Sequence, residues 1–133
     1  MHTTLDDPAA APAPAGPYSH VARIDTGDGA LLFVSGQVAV DDAGDVVGKG
    51  DIEAQSRRIF EIFDALLRAH GATFDDVVNI RTYLVDMDQR AGYAKVRREF
   101  LTGTPPTSTT VEVSRLFLDD ALLEVELVAT VTP

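Results

Sequence analysis

The stretch from Asp51 to Gly71 constrains the fold of this chain most. Ile52, Ile59, Phe60, Phe63, Leu66 and Leu67 recur there at helical spacing, so one long helix carries one apolar stripe. Asp51 stands where a side chain caps the first turn, and Gly71, after His70, stands where a left-handed residue ends the last one. A single apolar stripe must be buried against another surface. The surrounding segments supply it as strands, which makes this helix a sheet-covering element.

Tyr18 to Asp25 alternates, Ala30 to Ser35 is a short apolar run, and Gly27 and Gly29 between them permit a hairpin. Val38 to Val40 continues an extended path before a turn at Asp41 to Asp45. Val77 to Met87 is rich in β-formers. A second helix is predicted over Gln89 to Leu101, with Tyr93, Val96 and Phe100 inward, and Pro105 and Pro106 follow its end. Closing strands are read at Thr109 to Arg115 and Leu122 to Val131. The order ββ-α-β-α-ββ, with both helices on one face, is an α+β sandwich. Residues 1–14 are Ala/Pro-rich and read as a flexible or extended arm, ahead of a single domain over 15–133.

Strand parity then assigns faces. Val78, Ile80 and Leu84 are expected to meet the helices, as are Val111, Val113, Leu123, Val125, Leu127 and Ala129. Asn79, Arg81, Tyr83, Ser108, Thr110, Glu112, Glu124 and Glu126 are expected on the opposite face. That face reads equally well as a solvated surface or as an oligomer interface with a wet cleft.

Composition removes several functions. The chain has 133 residues, 21 acidic against 11 basic, with a net charge of -10, which opposes binding to a phosphate backbone. It has no cysteine, and its histidines lack metal-ligand spacing, so no metal site is expected. No run approaches the roughly 20 apolar residues of a membrane span. The N-terminus lacks a basic and then apolar leader, which makes the cytoplasm the expected compartment.

The segments GPYSH (from Gly16), FVSGQV (from Phe33), the block from Gly50 to Val78, YLVDM and STTVEVSRL together resemble the reactive intermediate deaminase (Rid, or YjgF-like) family. The resemblance covers nearly the whole chain from Gly16. It implies a chorismate-mutase-like fold with a mixed sheet, and a homotrimer around a central barrel with clefts between subunits. It also implies hydrolysis of enamines or imines of small acids without metal or cofactor. Tyr18 and Glu124 match the family's catalytic positions, with Glu126 a second choice for the glutamate. Gly36 matches a glycine beside the ligand.

Ser108 stands where the family carries a carboxylate-binding arginine, Thr110 where many members carry cysteine, and Ala94 where deaminases carry asparagine. Losing that arginine removes charged hydrogen bonds worth about 1.5–3 kcal/mol. Arg81 and His20 are the replacements considered for binding substrate, Arg81 because parity places it on the cleft face and His20 because it follows Tyr18. Three functions follow from this mixture. They are a deaminase-type hydrolase of altered preference, a different hydrolase or tautomerase using the same cleft, and a ligand-binding or chaperone-like trimer.

Overall fold

The computed structural model describes residues 1–133. Strands β1 (His2–Asp6), β2 (Val21–Asp25), β3 (Ala30–Gln37), β4 (Val77–Leu84), β5 (Thr107–Glu112) and β6 (Leu123–Val131) form one six-stranded sheet in the order β1-β2-β3-β6-β4-β5. β4 and β5 run parallel and every other pair is antiparallel. Helices α1 (Ile52–Ala69) and α2 (Arg90–Phe100) cover one face, giving the mixed α+β architecture expected. Neither helix is long and apolar enough to cross a membrane.

α1 forms as the pattern dictates. Asp51 accepts the Ala54 N–H at 3.0 Å, and Gly71 ends the helix at φ +77°. Ile59, Phe60, Phe63, Leu66 and Leu67 are fully buried against a core that includes Leu32, Ile80, Val125 and Leu127. Each such side chain stabilises the fold by about 1.5–3 kcal/mol relative to exposure. Phe60 also stacks on Phe100 of α2 with ring centroids 5.3 Å apart, which ties the helices together. Gln55, itself buried, joins loops far apart in sequence. Its amide donates to the carbonyls of Gly48 and Asp120, and its oxygen accepts from the Leu122 N–H.

Three features are not given by the sequence reading. First, part of the N-terminal arm is the edge strand β1, paired with β2 from His2↔Asp25 to Asp6↔Val21. Second, a bulge lies between Val77 and Asn79, so Val77 is buried and Val78 is exposed instead of meeting the helices. Third, the parity of β5 is inverted. Its parallel register aligns Ser108 with Ile80, Thr110 with Thr82 and Glu112 with Leu84, all on the helix side. Val111 aligns with Tyr83 on the open face and is exposed. Valine pattern alone would turn Val111 toward the core. β5 is an edge strand without a single buried residue, so pairing with β4 sets its faces and burial does not.

The open face mixes apolar and polar groups. Leu5, Ala22, Phe33 and Val128 lie in register across neighbouring strands, beside Asn79, Arg81 and Glu126. Phe33 is 47% exposed and Leu5 66%, large values for apolar side chains that touch each other's strands.

Candidate active site

Tyr18, Gly36 and Glu124 come together in a cleft of about 360 Å³, with Ala15, Gly16, Ser35 and Phe117. Glu124 reaches this cleft from the start of β6. Gly36 sits where the register of β3 slips between Val34 and Gln37, and this brings its backbone under the glutamate. A Cβ at position 36 would stand 2.8 Å from Glu124 Cδ. Glycine is therefore required here by space and not by backbone angle. Tyr18 accepts the Ala15 N–H at 3.2 Å, which leaves its hydroxyl proton free for a ligand.

Glu124 is the one carboxyl that lines this cleft. Burial of its carboxyl pushes its pKa above the usual 4.5, and the neighbouring charge of Glu126 pushes in the same direction. Glu126 itself accepts a short hydrogen bond from the Tyr83 hydroxyl. That bond, with burial and the glutamate's charge, raises the tyrosine pKa, so Tyr83 stays a donor at neutral pH. Glu126 is thereby occupied, and Glu124 is the carboxyl that faces the cleft.

His20 does not present a ring nitrogen to this cleft. It is 4% exposed, not a surface histidine. Its Nε2 lies 2.6 Å from the Pro12 carbonyl, and its Nδ1 lies 3.1 Å from the Gln37 amide nitrogen. Nε2–H donates to the carbonyl and Nδ1 accepts from the amide, a neutral tautomer with both nitrogens used. The imidazole thus pins the Ala/Pro arm, whose Pro12, Ala13, Pro14 and Ala15 wall a second cleft continuous with the first through Tyr18, Gly36 and Phe117. His20→Ala should cost about 1–3 kcal/mol by leaving the Pro12 carbonyl and one N–H of the Gln37 amide without the partner His20 supplies, the other N–H keeping the Ser35 carbonyl. Chemical denaturation would measure that loss, and proteolysis within residues 8–15 should accelerate with it.

Ser108 and Thr110 lie elsewhere. They line a pocket of about 290 Å³ on the helix side of β5, together with Ala94, Arg90, Arg97 and Arg98 of α2. Sequence reasoning missed Arg97. Its Nη1 donates to Ser108 Oγ at 3.0 Å and to the Tyr93 hydroxyl at 3.4 Å. The spacing carried a signal. Arg97 follows the inward Tyr93 by one helical turn and Arg90 by two, so the three share a side of α2.

Arg81 belongs to neither group. It lies opposite Glu126 on the open face and lines a groove with Asn79, Phe33 and Val128. Glu112, expected near it, instead accepts the Met87 N–H at 2.9 Å on the other side. In one copy of the chain the carboxyl cleft and the Ser108 pocket stand on opposite sides of the sheet.

Comparison with known proteins adds the relatives. The family model described as endoribonuclease L-PSP matches residues 8–131. A RutC family protein of Pyrococcus abyssi is 39% identical over 120 residues, covering 90% of each chain. A solved Yersinia pestis protein of unknown function, of the conserved Rid protein family, superposes with a TM-score of 0.84 at 31% identity, covering 96% of this chain and 98% of that one. E. coli TdcF, solved with bound serine, gives a TM-score of 0.78 at 29% identity, covering 94% and 95%.

Proposed function

This chain belongs to the endoribonuclease L-PSP family of Rid-like proteins, and on that premise we propose that it hydrolyses the C=N bond of a small imine, or its enamine tautomer, to a carbonyl compound and ammonia. The observation that carries this reading is Glu124, a half-buried carboxyl with a raised pKa, laid over Gly36 in a cleft that Tyr18 also lines.

The reaction consumes one water per imine. Protonated Glu124 gives its proton to the imine nitrogen, which makes the carbon electrophilic. Water then adds to that carbon as the carboxylate takes up its proton. The carbinolamine collapses when that proton passes from Glu124 to the nitrogen: the C–N bond breaks, ammonia leaves, and the hydroxyl proton returns to the Glu124 carboxylate as the C=O bond forms, which restores the acid. Tyr18 donates to the substrate and holds it in line. No metal or cofactor enters these steps.

The substrate class proposed is a small 2-imino acid. TdcF, a structural neighbour, was solved with serine, a compound of this size and charge type. The apolar strip of exposed Leu5 and Phe33 with half-buried Val128 supports packing of open faces in a homotrimer, with each cleft completed by a neighbouring copy. The family description names a ribonuclease, but a net charge of -10 is poorly suited to RNA.

The test is ammonia and keto-acid release from 2-iminopropanoate generated in situ. Equimolar products formed faster than the uncatalysed background are expected. A rate equal to background would remove the hydrolase reading and leave a ligand-binding protein.

A further inference from the structure

We propose that Arg97 is a ligand-holding residue, and that the pocket between α2 and β5 takes the carboxylate of a small anion. The pocket is lined by Arg90, Arg97 and Arg98 and by no aspartate or glutamate. None of the chain's ion pairs includes any of these arginines. In a chain with 21 acidic residues against 11 basic ones, a pocket of uncompensated cations runs against the composition.

Arg97 is also held in place from the core outward. Tyr93 is buried, and its hydroxyl lies 2.6 Å from the buried Thr82 Oγ1. Because Arg97 donates to the Tyr93 oxygen, the tyrosine proton goes to Thr82. The guanidinium carbon also sits 5.9 Å from the Tyr93 ring centroid. Ser108 fixes the same nitrogen, Nη1, from the other wall. Both partners are hydroxyls, which position the guanidinium without neutralising it. The protein occupies Nη1 alone, and Nε and Nη2 keep the planar pair of donors that matches a carboxylate.

Ser108 thus has a definite part. An arginine at that position would bring a second guanidinium onto the first, whereas serine accepts from Arg97 and orients it. The cation is supplied by the helix instead of the strand. A cavity of about 290 Å³ admits a small molecule, and the net charge of -10 disfavours a polyanion. That the anion is a carboxylate rests on the hydrolase reading above; that the pocket takes an anion does not.

The experiment is calorimetric titration of pyruvate and of uncharged pyruvamide into wild type, Arg97→Ala, Arg97→Lys and Ser108→Ala. Arg97→Ala should weaken pyruvate binding about 10- to 100-fold and leave pyruvamide unchanged. Arg97→Lys should recover part of the affinity, because the charge returns without the planar fork. Ser108→Ala should weaken pyruvate several-fold. The proposal is overturned if Arg97→Ala binds pyruvate as wild type does, if it weakens both ligands equally, or if wild type does not prefer pyruvate. Binding is read without turnover. A protein inert toward 2-iminopropanoate that binds pyruvate through Arg97 sinks the hydrolase reading alone. An active hydrolase indifferent to Arg97 sinks this inference alone.

Discussion

Glu124→Gln should lower the rate of imine hydrolysis by about 10²–10⁴-fold, the span expected when a positioned general acid-base group is removed. The amide keeps the shape of the side chain and can still direct a water, but it can neither give nor take a proton. Wild-type kcat/KM should fall toward alkaline pH as Glu124 ionises, with an apparent pKa above 4.5, because burial and Glu126 both disfavour the charged form. The variant should lack that limb.

The same shift makes a stability prediction of defined sign. A carboxyl whose pKa is raised on folding holds its proton more tightly in the native state than in the unfolded chain. Stability is therefore lost as pH rises from 4.5 through the raised value. Glu124→Gln removes that loss. The variant should melt higher than wild type above this window, and the advantage should vanish below pH 4.5. Active-site groups often trade stability for function in this way. Melting curves across the pH range measure it.

Gly36→Ala is the second large effect. The added Cβ would lie 2.8 Å from Glu124 Cδ and 3.0 Å from Cγ and Oε2, distances that force movement. What must move is the end of a flexible side chain, not backbone. The fold should tolerate the change, with unfolding free energy altered by less than about 1 kcal/mol, in line with other changes made away from the packed core. Activity should fall by about 10²-fold, since displacement of a catalytic group by 1 Å is enough for that loss. A variant that melted normally and hydrolysed normally would show that Glu124 does not act from its observed position.

The parts of this fold that were legible in the sequence are those where burial sets the pattern. α1 with its Asp51 cap and Gly71 stop, and the alternation of Leu123, Val125, Leu127 and Ala129 in β6, are written by which residues must leave water. The illegible parts are those that burial does not select. β1 is exposed along nearly its whole length and is held by backbone pairing and by Asp6, which accepts from His70 at 2.9 Å. The bulge at Val78 inserts a residue that no periodicity announces.

β5 shows the consequence for function. Its valines suggested a core face, yet the edge position leaves both sides wet, and the inversion carries Ser108 and Thr110 to the helix side. Tyr18, Gly36 and Glu124 were legible through family motifs and do come together. Arg97 was not, because its role depends on which side of the sheet Ser108 faces, and on an edge strand the pairing with β4 sets that side.

One copy of the chain is proposed to hold an incomplete site that a neighbouring copy completes. The most direct test is the hydrolysis rate of a chain kept monomeric. Phe33→Asp places a charge in the apolar strip of the open face and touches none of Tyr18, Gly36, Glu124 or Arg97. Its rate on 2-iminopropanoate should be measured at a concentration where sedimentation gives its mass. The expected result is a folded protein near 14.2 kDa without activity above background. A monomer as active as wild type, or a chain that still assembles with Asp at this position, would contradict the claim.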